Sequence, residues 1–162
     1  MSVLINKGMG TFASPVNYAV GLNPKSITVA DLDGNTTLDL AVTNNGSNKV
    51  SVLLNPGDGT FPDPTRQDYV TDAKPESVAA LDLNGDSKPE LNTTSTSGGP
   101  VGVLLNLGAG KFSPVSSYIA GSNISSVAAA DVNGDGRLDL VATSSTNTNN
   151  VSVLLNTCFA RP

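Results

Sequence analysis

Three nine-residue segments gather the oxygen-bearing side chains of this chain: DLDGNTTLD (Asp31 to Asp39), DLNGDSKPE (Asp82 to Glu90) and DVNGDGRLD (Asp131 to Asp139). Each has Asp or Asn at positions 1, 3 and 5, Gly at 4 and a carboxylate at 9. Alternating side chains in a tight loop can aim their oxygens at one point, with the carbonyl of position 7 filling a gap in the shell. This is how calcium, a hard ion that takes six to eight oxygens, is held. The donors include no nitrogen or sulfur, so the set suits calcium rather than zinc, copper or iron, and magnesium demands stricter octahedral geometry. The expected ligands are Asp31, Asp33, Asn35, Thr37 and Asp39 in the first loop, and Asp82, Asn84, Asp86, Lys88 and Glu90 in the second. In the third they are Asp131, Asn133, Asp135, Arg137 and Asp139. Thr37, Lys88 and Arg137 would contribute only their backbone carbonyls. Asn-Gly and Asp-Gly also make plain turns between strands, but a turn does not require a carboxylate at position 9. Position 6, which is Thr36, Ser87 and Gly136, varies as a non-ligand position would.

The charge balance follows from these loops. Nine of the 14 acidic residues lie in them, the formal net charge is -5, and three Ca²⁺ would carry it to about +1. Without metal the crowded carboxylates repel and hold protons more tightly. The remaining cluster, Asp58, Asp63, Asp68, Asp72 and Glu76, reads as solvated loop charge. An acidic chain offers no field for polyphosphate, so nucleic acid is not expected as a partner. The absence of His excludes Ser-His-Asp and Cys-His nucleophiles and His-ligated zinc. With the acidic residues assigned to the loops, no catalytic residues are expected. Cys158 is the single cysteine, so an internal disulfide is impossible and the thiol reads as incidental. No apolar run reaches the ~18 residues of a bilayer span, and Met1 to Thr11 has no signal-peptide pattern.

The elements that would hold the loops recur at a fixed interval. The segments SVLIN, SVLLN, GVLLN and SVLLN end at Asn6, Asn55, Asn106 and Asn156, at intervals of 49, 51 and 50 residues. Gly-x-Phe recurs in phase at Gly10, Gly59 and Gly110. Within one period the pattern is four short strands. Strand A is small and apolar (Ser77 to Asp82, Ser126 to Asp131), B follows the loop (Leu138 to Thr143), C is Val151 to Asn156, and D is Phe112 to Ala120. Four strands in about 50 residues is the arithmetic of a β-propeller blade, so the fold class expected is all-β, with about three blades of four antiparallel strands. The division expected is residues 1–22 as a partial blade of strands C and D, blades at 23–73 and 74–122, and 123–162 as a blade lacking its outer strand. Phe12, Phe61 and Phe112 with Tyr18, Tyr69 and Tyr118 recur at matching positions and are expected to pack blades together; as exposed rings the tyrosines would instead suit a sugar ligand.

The period, the Gly-x-Phe marker and the D-x-[DN]-G-[DN]-x-x-x-[DE] loop resemble the FG-GAP repeats of integrin α-subunit propellers and the similar VCBS repeats of bacterial surface and secreted proteins. The resemblance covers nearly the whole chain. It implies a calcium-bearing propeller with loop positions 1, 3, 5, 7 and 9 as ligands, usually extracellular or at the cell surface and often serving adhesion. Two departures stand out: Pro89 precedes Glu90 in the middle loop, and the family's propellers usually have seven blades whereas this chain has material for three. The expectation is therefore a calcium-binding module of structural or adhesive role, with a carbohydrate-binding propeller as the alternative and a protein or glycan as possible ligand. Propellers close with four to eight blades. Self-association into a ring is therefore expected, two copies giving six blades and three copies, the second arrangement, giving nine; a piece of a larger propeller is the third alternative.

Overall fold

The computed structural model describes residues 1–145 and 150–157, so Cys158 lies outside the described residues. Short runs of β-branched and small apolar residues separated by Asx/Gly turns favour strands over helices, and the described residues carry seventeen strands and one 3-10 turn, Asp63–Thr65. The N-terminal segment has β1 (Ser2–Val3), β2 (Asn6–Gly8), β3 (Thr11–Phe12) and β4 (Val16–Asn17), with β1 paired to β4 and β2 to β3. A first meander follows: β5 (Pro24–Ala30), β6 (Asp39–Asn44), β7 (Lys49–Leu53) and β8 (Gln67–Val70), hydrogen-bonded in that order. The second has β9 (Pro75–Leu81), β10 (Glu90–Ser95), β11 (Val101–Leu104), a β12 (Asn106–Gly108) and β13 (Lys111–Phe112) hairpin, and β14 (Ser116–Tyr118) on the outer edge. The third has β15 (Ile124–Ala130), β16 (Asp139–Ser144) and β17 (Val151–Leu154). All pairings are antiparallel, and each acidic loop joins the first two strands of a meander.

The apolar faces of successive sheets bury one another. Val50 and Val52 of β7 meet Leu91, Leu104 and Phe112 of the second meander. Val101 and Val103 of β11 meet Ile124, Val127 and Leu140 of the third. Met1, Val3 and Tyr18 cover Leu40, Leu53 and Phe61 of the first. Among the described residues two junctions carry an aromatic pair in edge-to-face contact: Tyr18 on Phe61 with centroids 5.5 Å apart, and Tyr69 on Phe112 at 5.4 Å. These pairs match the packing role expected of the aromatic set, and they turn two of the three tyrosines away from a sugar-stacking role.

Two expectations need correction. Strand D does not run unbroken from Phe112 to Ala120: Phe112 closes the β12–β13 hairpin, and pairing with β11 begins at Ser116. Pro114 between them has no N–H for a ladder, and Pro62 and Pro64 divert the chain similarly in the first meander. The acidic cluster of the first repeat is not simply solvated. Asp68 accepts from Ser51 Oγ at 2.7 Å, Asp72 from Ser117 Oγ at 2.9 Å, and Glu76 from Asn45 Nδ2 at 2.8 Å, so these carboxylates fasten neighbouring strands and sheets.

Candidate metal-binding loops

Position 1 organises each loop through its backbone. Asp31 accepts from Gly34 N at 2.7 Å with one oxygen and from Thr36 N at 2.8 Å with the other. Asp82 takes Gly85 N and Ser87 N at 2.8 and 2.9 Å, and Asp131 takes Gly134 N and Gly136 N at 2.7 and 2.8 Å. The turn that presents these donors needs a left-handed residue at position 6: φ is +70° at Thr36, +65° at Ser87 and +84° at Gly136. Position 6 is therefore conformationally demanding even though its side chain is free to vary. Glycine meets that demand without strain, and a β-branched threonine does not.

Position 9 is the buried end of the loop. Asp39 is fully buried, with Oδ2 accepting from Leu32 N and Oδ1 from Asn55 N, both at 2.8 Å. Asp139 repeats this with Val132 N at 3.1 Å and Asn156 N at 2.7 Å. Glu90, one methylene longer and following Pro89, takes Leu83 N at 2.8 Å and Asn106 N only at 3.5 Å. Each carboxylate thus ties the loop to the end of the third strand of its meander, a structural duty that the sequence pattern alone did not reveal. Burial pushes the Asp39 carboxyl above the ordinary carboxylate range, opposed by its two N–H donors and reinforced by the charges of Asp33 and Asp31. Glu90 is raised for the same reasons, with Asp86 and Asp82 as the neighbouring charges.

The loops differ at positions 3, 5 and 7. In the first, oxygens of Asp31, Asp33 and Asp39 all lie within 4.8 Å of one another, and among the described residues this is the one trio of His, Cys, Asp or Glu side chains gathered so closely. That triad could hold a metal ion. Asn35 does not point freely inward, since its Oδ1 accepts from Thr37 N and Thr37 Oγ1 at 2.7 and 2.6 Å. In the second and third loops position 3 is Asn, and the cation at position 7 takes the carboxylate at position 5. Lys88 Nζ lies 3.2 Å from Asp86 Oδ2, and Arg137 Nη2 lies 2.5 Å from Asp135 Oδ2 while its Nε donates to the Asn156 carbonyl at 2.9 Å. Slight desolvation raises Asp86, but the N–H, ammonium and charge of Lys88 outweigh it and hold the carboxyl below its usual range. Asp131 is lowered chiefly by the Gly136 N–H. Position 7 therefore does more through its side chain than the sequence pattern suggested.

Asparagines at the end of the third strands join the loops of adjacent sheets. Asn106 Nδ2 donates to the Leu32 carbonyl at 3.1 Å, and Asn156 Nδ2 to the Leu83 carbonyl at 2.7 Å. Between the first and second loops lies a cleft of about 450 Å³ lined by Asp31, Asp33, Ser87 and Lys88. Among the described residues no helix is long and apolar enough to cross a membrane.

No curated protein matches the chain. The family model for the FG-GAP-like repeat matches residues 31–93 and 91–142, so that each match opens on or spans an acidic loop and the strands around it. Stacked antiparallel meanders, acidic loops between their first two strands, and a repeat match over most of its length place this chain in the FG-GAP-like repeat family.

Proposed function

We propose that the chain is a non-catalytic, calcium-stabilised β-propeller module of three blades, acting outside the cell in a structural or adhesive role. The observation that carries this reading is the first loop, where Asp31, Asp33 and Asp39 crowd three carboxylates within 4.8 Å of one another. A divalent cation relieves the repulsion among them and uses lone pairs that the backbone N–H groups leave free. The other two loops follow the same plan with one carboxylate already paired, so they bind more weakly. Asp31, Asp33, Asn35 and Asp39 with the Thr37 carbonyl would hold the first ion, and the corresponding positions 1, 3, 5, 7 and 9 the others. The cation supplies charge neutralisation and cross-links the loop; the chain's own residues set the strand spacing that presents it. A non-catalytic role is supported by the lack of His and by the engagement of the loop acids in holding backbone.

Calorimetric titration tests this reading. Up to three Ca²⁺ per chain should bind, at dissociation constants on the order of 0.1–1 mM or tighter, as in extracellular modules, and EDTA should lower the melting temperature. No calcium heat together with EDTA-independent melting would refute it.

A further inference from the structure

Two of the sheet junctions inside the chain are built alike, and among the described residues the same junction stands half-built at both ends of the stack. At the second junction the Gly-x-Phe hairpin places Gly110 against Leu54, where an added Cβ would come within 2.8 Å of Leu54 Cδ1, while Tyr69 Oη, 2.7 Å from Gln67 Oε1, lies 3.1 Å from the Gly110 carbonyl and Phe112 sinks beside the Tyr69 ring. One repeat later the receiving half recurs, and among the described residues no hairpin sits in it: Leu105, Tyr118, Val103, Leu140 and Leu154 line an apolar cavity of about 160 Å³. Tyr118 is half exposed there. One repeat earlier the inserting half recurs without its receiver. Phe12 is 58% exposed against 6% for Phe61 and Phe112, and a Cβ on Gly10 would meet nothing within 4 Å.

The flat faces are mismatched in the same way. Val151 and Val153 of β17 are 65% and 51% exposed, whereas their counterparts Val50 and Val52 are fully buried. Ile27 of β5 is 49% exposed, whereas its counterparts Val78 and Val127 are buried. Among the described residues β17 is an edge strand, and the position its outer neighbour should take corresponds to β4.

We propose that these two ends are one interface: the Phe12 hairpin of a second copy of this chain fills the Tyr118–Leu105 slot, and β4 of that copy pairs with β17. The partner is a second copy because its N-terminal segment carries the same Gly-x-Phe marker, in the same phase, that fills the two internal slots. Strands β1 and β17 are equivalent in the repeat, so they compete for the place beside β4. Strand β17 is anchored by four residue pairs to β16, whereas β1 is held by only two, to β4, so β1 is the strand that gives way, and Val151 and Val153 take the positions that Met1 and Val3 occupy on the first meander. This exchange disposes of the surplus third strand. The contact is heterologous and closes as a ring; two copies make six sheets, within the range in which propellers close. The interface is apolar and stands independently of the cation reading.

Light scattering after gel filtration of the full chain at micromolar concentration tests the proposal. The expected mass is twice the 16.4 kDa of one chain, or three times it, in EDTA or in calcium. Phe12→Asp and Leu105→Asp, both at exposed positions and so compatible with a folded chain by circular dichroism, should each reduce the mass to one chain. Mixed together they should form a one-to-one heterodimer, because one interface remains intact in that pair. Phe159 lies in the C-terminal segment outside the described residues, and Phe159→Asp should leave the wild-type mass unchanged. A monomeric wild type, variants that keep the wild-type mass, or a mixture that stays monomeric would each overturn it. A monomer whose melting temperature falls on Phe159→Asp would show that the chain fills its own slot, and would overturn it too.

Discussion

Replacing Asp39 by alanine separates the two duties of the position 9 carboxylate. The side chain is fully buried and accepts two backbone N–H groups, from Leu32 and Asn55, at 2.8 Å each. Without it, both donors are left in a site too closed for water to reach easily, at about 1–3 kcal/mol each. Against this stands the relief of no longer burying a charge, whose direction is visible in the raised proton affinity of Asp39. The unsatisfied donors win, because they number two and the charge is already compensated by them, so the net loss is about 2–4 kcal/mol in EDTA. A second loss appears only in calcium. If the first site has a dissociation constant near 0.1 mM, 1 mM calcium contributes ~1.4 kcal/mol, and Asp39→Ala forfeits it. The control is Asp33→Ala. Its carboxylate accepts only from Asn35, at 3.0 and 3.2 Å, so it should cost under ~1 kcal/mol in EDTA yet lose the same calcium increment. Urea denaturation of both variants, with and without calcium, at unchanged m-value, gives all four numbers. Equal losses for the two variants in EDTA would refute the assignment of Asp39 as a backbone tie, and an undiminished calcium increment in both would remove the first loop as a cation site.

Thr36→Gly should stabilise the chain by about 1 kcal/mol, since Thr36 sits at φ +70° and the third loop has glycine in the same place; a destabilised variant in thermal melts would show that the threonine side chain has an offsetting role. Arg137→Ala should tighten calcium binding at the third loop by freeing Asp135 from its 2.5 Å ion pair, while costing at most ~1 kcal/mol of stability in EDTA; titration heats unchanged from wild type would contradict this. Phe112→Ala should cost about 3–5 kcal/mol in chemical denaturation, because the ring is buried in the junction core. A loss under 1 kcal/mol would mean that the aromatic slot is not a main source of sheet–sheet cohesion. Tyr69 gives a pH signature. Burial raises its phenol above the ordinary value of 10.0, so the stability it contributes is complete below that value and is lost as pH rises through the higher folded value. Denaturant midpoints followed into the alkaline range should fall less steeply for Tyr69→Phe than for wild type, and parallel curves would count against the shift.

The strand content, the interval of about 50 residues and the three acidic loops were legible in the residues, because each is local. Small and β-branched runs favour extended backbone, Asx and Gly favour the turn, and a repeated marker needs no knowledge of contacts. Membership of the FG-GAP-like repeat family followed from the same local marks, and the family match bears it out. Other features depended on which groups the fold brings together across sheets. Asp39 and a solvated aspartate look the same in one dimension; only the approach of Asn55 N, sixteen residues on, makes Asp39 a buried tie. The backbone demand at position 6 was hidden because Thr36 and Ser87 are poor residues for a left-handed turn and still occupy it. Arg137 and Lys88 looked idle at position 7 until their side chains were seen to fold back onto Asp135 and Asp86. The break in strand D was written in Pro114, yet the hairpin that replaces it is held by packing of Gly110 on Leu54, a contact between two sheets. Local propensity therefore determined the repeating unit, and tertiary structure decided which of its polar groups are spent on the backbone and which faces are left to meet another surface, because burial and partner distance are properties of the stack rather than of any one repeat.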